Sequence, residues 1–169
     1  MTDLFLLIIF AYALVIMAVL FYIDLRTRLL PNRYVAQLFF SALAFHIISS
    51  FNYASFTDLL IAAGASIGLF LFIRAVGNKI YNTDTLGMGD VKLIGAAAIW
   101  LGSEYIFLAI TIGALAGVIH GLGLKLFLHY KTGQSPKLDA LSLPAGPGFI
   151  SGIVLCMFFK FHTFILAAI

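Results

Sequence analysis

A chain of 169 residues that is 63% hydrophobic and only 10% charged, with a mean hydropathy of +1.10, is not a soluble domain, because soluble domains carry about 25% charged residues. Lipid is the solvent that fits, and the 15 glycines agree, since glycine is commoner in membrane helices than in soluble ones. The single cysteine, Cys156, excludes an internal disulfide framework or a CxxC metal site. The pI of about 9.1 is a usual hint of nucleic acid, but the placement of the basic residues argues for a membrane topology instead.

The first apolar run covers 4–23. Asp3 precedes it and no Lys or Arg occurs before Arg26, so it lacks the basic n-region of a secretory signal peptide and reads as a retained first helix. Further runs of spanning length lie at 34–50, 58–76, 105–128 and 144–168. A shorter one at 93–102 sits between Lys92 and Glu104. Even residues 89–103 give about 22 Å of helix, so either the bilayer thins there or one end of this helix starts below the membrane surface. The expectation is an all-α, polytopic membrane protein of about six transmembrane helices, in one transmembrane domain over 1–169 with no soluble domain.

The connections alternate in charge. Arg26, Arg28 and Arg33 follow the first helix; Arg74, Lys79 and Lys92 flank the link from the third to the fourth; Lys125, Lys131 and Lys137 fall between the fifth and sixth. The connections Ser50–Thr57 and Gly102–Glu104 contain no Lys or Arg. The positive-inside rule then puts both termini outside and the three basic loops in the cytoplasm. Lys160 is the exception, and it is expected to snorkel to the outer interface.

Of the seven acids, Asp3, Asp58 and Glu104 fall at outer helix ends and Asp139 in the polar stretch 129–143, where solvated boundary charges are expected. Asp84 is expected to solvate its loop. Asp24 and Asp90 are different. Asp24 closes a long apolar helix and opens Asp24-Leu-Arg-Thr-Arg-Leu-Leu-Pro-Asn32, where Pro31 stops or starts a helix and Asn32 suits a cap. Asp90 lies in Leu86-Gly-Met-Gly-Asp-Val-Lys-Leu93, whose Gly87 and Gly89 admit conformations and close approaches barred to other residues. Each has a bland account, an interfacial ion pair with Arg26 or Arg28 for Asp24 and a helix cap for Asp90. Together they say more, because both lie at helix ends on one membrane face. Two carboxylates a few ångströms apart cannot both ionise easily and share a proton, which is the state that aspartyl hydrolysis requires.

The GxGD segment ending in Asp90, with Lys92 two residues on, and Asp24 ahead of Leu30-Pro31-Asn32 resemble the type IV prepilin peptidases and the archaeal preflagellin peptidases. The resemblance extends to the Pro/Gly-rich entry Leu143-Pro-Ala-Gly-Pro-Gly148 of the last helix. It implies Asp24 and Asp90 as the catalytic pair, with Gly87, Gly89, Lys92, Pro31 and Asn32 as substrate-binding or supporting residues. The Gly87–Gly89 stretch is expected as a flexible strand offering backbone partners to an extended substrate. The implied partner is a prepilin or prepilin-like precursor, with membrane lipid and no nucleic acid, and the implied reaction needs no metal or cofactor. The implied location is the inner (plasma) membrane, multi-pass, with the site on the cytoplasmic side. Many bacterial members carry a Cys-rich cytoplasmic segment and also N-methylate the new terminus; the short loops here resemble the compact, peptidase-only form associated with Tad/Flp-type pili.

Four histidines, His46, His120, His129 and His162, show no metal-ligand spacing and read as satisfied or interfacial. The Gly113/Gly117/Gly121 spacing serves either packing within the chain or a homodimer. Rival readings are a presenilin-type protease, a small proton-coupled transporter using the same acids as a proton relay, and a purely structural membrane subunit.

Overall fold

In hydrocarbon a backbone must satisfy its polar groups internally, so helices are the economical way across. The computed structural model describes residues 2–132 and 145–168, and the elements among them are all helical: α1 (Thr2–Thr27), α2 (Asn32–Ile48), α3 (Phe56–Tyr81), α4 (Met88–Thr132) and α5 (Gly146–Ala168). By length and composition α1, α3, α4 and α5 can cross a membrane. α2, at 17 residues, is about 26 Å long. Most of the polar stretch expected at 129–143, including Gly133, Pro136, Lys137 and Asp139, lies outside the described residues, as does Pro144; its first residues continue α4 to Thr132.

A straight α4 of 45 residues would run about 68 Å, twice a bilayer core. It does not run straight. Gly102 has φ 66° and ψ −178°, a conformation essentially reserved for glycine, and there the chain turns back. The first limb, 88–101, begins where Gly89 packs on Leu30. The second limb, 103–132, returns so that Gly113 meets Phe149 and Gly148 meets Gly117. Six helical stretches therefore replace five among the described residues, and the break falls inside the connection predicted at 102–104.

The two sides of this break are tied down by charged residues from other helices. Asp58 on α3 accepts from Ser103 N at 3.2 Å and from the Ser103 hydroxyl, capping the second limb in trans. Lys160 on α5 donates to the carbonyls of Trp100 and Leu101 at 3.2 and 3.1 Å, satisfying the end of the first limb. This corrects one expectation, since Asp58 is a half-buried cap rather than a solvated charge, and it gives Lys160 the carbonyls of the broken helix end as partners. Asp58→Ala should cost about 1–2 kcal/mol, the scale of a lost cap. Thermal unfolding in detergent measures it, and an unchanged Tm would show that the break holds without its cap.

The first limb explains its own shortness. Val91 and every residue from Leu93 to Gly102 are buried, so protein rather than lipid surrounds it on all sides. A helix apolar all round belongs inside, and one that meets little lipid has no bilayer thickness to match. At the Asp58 end the packing is aromatic: Phe45 and Phe161 lie 5.0 Å apart at 72°, Phe10 sits edge-on to both Trp100 and Phe161, and the Trp100 indole N–H donates to Leu38 O at 3.1 Å. His46 is buried in this cluster, stacked on Phe51, with neither ring nitrogen hydrogen-bonded among the described residues. The backbone of Trp100 and Ile99, at the end of the first limb, faces its ring.

Small residues set the spacing of the α4–α5 pair. A Cβ at Gly113 would lie 2.7 Å from Phe149 Cα, and one at Gly148 would lie 2.7 Å from Gly113 O. Of the two uses open to the Gly113/Gly117 spacing, packing within the chain is the one the fold makes.

Candidate active site

The site grows from two helix ends that meet. α1 ends where Arg28 adopts a left-handed φ of 56° and its N–H bonds back to Asp24 O at 2.9 Å. Three residues later Pro31 caps α2, its carbonyl accepting from Tyr34 and Val35. Pro suits this place, since it has no N–H to leave unsatisfied and fixes φ near the observed −63°. The turn from α1 to α2 thus leaves Asp24 in the last turn of α1, turned inward and almost wholly buried.

Asp90 comes from the other end of the sequence pattern. Gly87 O opens α4 by accepting from Asp90 N at 3.1 Å and Val91 N at 3.4 Å. The Asp90 carboxylate folds back over Gly87 and faces its backbone N–H, as the third residue of a capping box does. A Cβ at Gly87 would lie 3.1 Å from Asp90 Oδ2. Gly89 is already helical and packs on Leu30, where an added Cβ would lie 3.0 Å from Leu30 Cβ. Where a flexible strand is expected, Met88 and Gly89 already start a helix and only Gly87 precedes it; Gly87 admits the Asp90 carboxylate and Gly89 the Leu30 side chain.

The loop before Asp90 is held from α3. Arg74 pairs with Asp84 at 2.7 Å and also donates to Leu86 O. Asn78 donates to Asp84 at 2.9 Å and accepts from Thr85 N at 2.9 Å. Asp84 does more than solvate its loop: it anchors 84–86 to α3 and so fixes where Asp90 begins. Arg74→Gln should loosen this loop and lower any activity of the pair by about tenfold, because misplacement of a reacting group by about 1 Å can cost two decades. Faster amide exchange across 83–87 should accompany it, and full activity in Arg74→Gln would exclude the anchor.

Asp24 and Asp90 are close enough for their charges to interact. The first residue of α5, Gly146, turns its backbone N–H to the Asp24 carboxylate. Asp24 Oδ2 is buried and has no hydrogen-bond partner among the described residues. Beside the pair, Lys92 Nζ donates to Asn32 Oδ1 at 3.0 Å, tying α4 to the start of α2. The fold thus gathers Asp24, Pro31, Asn32, Gly87, Gly89, Asp90 and Lys92 at one end of the bundle. The sequence reading had not singled out Gly146 as a neighbour of Asp24; the Pro/Gly-rich entry 143–148 was the signal. The exposed His162 lies elsewhere, whereas His120 lines a recess with Leu25, Pro147 and Gly148; no group of three His, Cys, Asp or Glu among the described residues is placed to hold a metal ion.

A helical membrane protein with two facing carboxylates at one end of its bundle is the class that this geometry defines. The type IV leader peptidase family matches residues 7–122. The chain is 27% identical to a prepilin leader peptidase/N-methyltransferase of Aeromonas salmonicida (strain A449) over 115 residues, 68% of this chain and 39% of that protein. It is 32% identical to leader peptidase HopD of Salmonella typhimurium (strain LT2) over 134 residues, 76% of this chain and 81% of the relative. The prepilin leader peptidase/N-methyltransferase of Escherichia coli (strain K12) is 28% identical over 96 residues, 57% of this chain and 42% of the relative. No solved structure matches at a significant level. The chain belongs to the type IV leader peptidase family, and it spans about two fifths of the length of the first Aeromonas relatives.

Proposed function

We propose that this chain is an aspartyl endopeptidase that removes the short leader from type IV pilin-like precursors. The observation that carries the reading is that a buried, incompletely hydrogen-bonded Asp24, with Gly146 against it, lies near enough to Asp90 for the two charges to interact. The ionised member of the pair takes a proton from water while the protonated member donates to the scissile carbonyl oxygen. The hydroxide attacks the carbonyl carbon, the C–N bond then breaks, and a proton passes to the leaving amine, so one peptide bond and one water become an acid and an amine. The proton is a property of the pair rather than of either residue.

The finer parts of the reading follow the charge pattern and the family. The three basic connections lie in the cytoplasm and the termini outside, so six crossings put the pair at the cytoplasmic face of the inner membrane. Of the family's two named activities we assign this chain the peptidase alone, with a Tad/Flp-type precursor as substrate; the 32% identity to leader peptidase HopD over 134 residues supports the peptidase assignment.

Cleavage of a type IV prepilin by the purified protein in detergent, followed by mass of the shortened product, tests the reading. Product formation that survives a chelator and is lost in Asp24→Asn and Asp90→Asn supports it. Leader removal by either variant would falsify it, and proton flux in proteoliposomes without cleavage would favour a transporter.

A further inference from the structure

Two apolar grooves run along the outside of the bundle toward the end that holds the pair. The first lies between α1 and α5, has a volume of about 590 Å³, and is walled by Leu14, Met17 and Phe21 on one side and Val154, Leu155 and Phe158 on the other. Its one polar side chain, Ser151, is turned to its own helix, donating to Pro147 O at 2.8 Å, so the wall offers no free polar group. Phe21 and Ser151 also line a second recess, which continues past Leu25 to Pro147 and Gly148. This recess ends beside Gly146, whose N–H faces Asp24. The path from Leu14 to Asp24 covers ten residues of α1, about 15 Å or nearly three helical turns.

The other groove, between α2, α3 and the first limb of α4, is walled by Val35, Phe39 and Ile67. Its end toward the pair contains Asn32 and Lys92, and their mutual hydrogen bond closes it. The two grooves therefore differ in what they lead to: one reaches the backbone beside the unpartnered carboxylate oxygen, and the other ends on a polar latch.

We propose that the α1–α5 groove seats an apolar helical segment of the precursor, in register with the bond to be cut; this rests on reading Asp24 and Asp90 as a leader-peptidase pair. The occupant must be apolar to lie against these walls in lipid. It must be helical, because a backbone in hydrocarbon satisfies itself. It must also be covalently continuous with an extended stretch at Asp24, because an intact helix buries its carbonyls in hydrogen bonds. A helix laid in a groove contacts it through residues three and four apart, and Ala18, Gly117 and Gly148 let it approach closely. An acyl chain satisfies the first requirement and neither of the others.

The test uses a full-length type IV prepilin. Ala18→Trp, which fills the groove, should raise KM about tenfold with kcat held, the signature of lost uniform binding. Ala36→Trp, in the other groove, should change neither constant. Disulfide trapping provides the measurement that needs neither turnover nor a bulky variant. In a Cys156→Ala, Asp90→Asn chain, Ala18→Cys should cross-link to prepilins carrying single cysteines along an apolar segment, with maxima three and four residues apart. Adducts forming from Ala36→Cys instead, adducts between two copies of the enzyme, or no adducts from Ala18→Cys would each overturn the docking proposal. Intact cleavage in Asp24→Asn would overturn the reading beneath it while leaving the cross-linking pattern to be read independently.

Discussion

Replacing Asp24 or Asp90 with asparagine should lower the rate of leader removal by about a thousandfold or more, the upper range of what a positioned acid or base contributes. Asparagine keeps the shape of the side chain but neither takes a proton from water nor shares one with a partner. The two losses should not add. Because the carboxylates act as one unit, the double variant should be about as slow as either single one. Asp24→Asn should also leave the protein no less stable, since it removes a buried carboxylate whose Oδ2 has no partner among the described residues. Single-turnover cleavage assays and thermal unfolding of the same preparations separate the two effects. A matched fall in Tm would mean that the activity was lost with the fold, and two independent, additive rate losses would argue against a shared proton.

Gly146→Ala should reduce cleavage by about a hundredfold, by moving a reacting group rather than removing one. A Cβ at Gly146 would lie 2.5 Å from Asp24 Oδ2 and 2.9 Å from its Cγ, well inside the 3.5–4.0 Å at which heavy atoms rest. Either the carboxylate or the first turn of α5 must move, and Asp24 has no free space on its buried side. Gly64→Ala provides the comparison, because a Cβ at Gly64 on α3 meets nothing within 4 Å and Ala favours a helix over Gly. That variant should cleave at the wild-type rate. Equal activity in the two alanine variants would remove Gly146 from the site.

The amino-acid sequence by itself determined the apolar surroundings, the helices and the place of two acids at helix ends. These are legible because they are local: the length of an apolar run decides whether it is a membrane helix, and Asp24 and Asp90 each stand at a helix end beside turn-forming residues. The Gly87–Gly89 pair was equally visible, but whether two glycines admit a strand or the side chains of neighbours depends on what surrounds them, and here Leu30 and the Asp90 carboxylate do. The short apolar run at 93–102 posed a length problem that only tertiary structure could resolve, since a limb enclosed by other helices has no lipid thickness to match. Asp58 and Lys160 had the appearance of boundary charges because no sequence pattern reveals a carbonyl or an N–H exposed by a break in another helix. Gly146 became a neighbour of Asp24 for the same reason. Their proximity depends on α1 packing against α5, and such contacts follow from the whole set of side-chain volumes rather than from either segment alone.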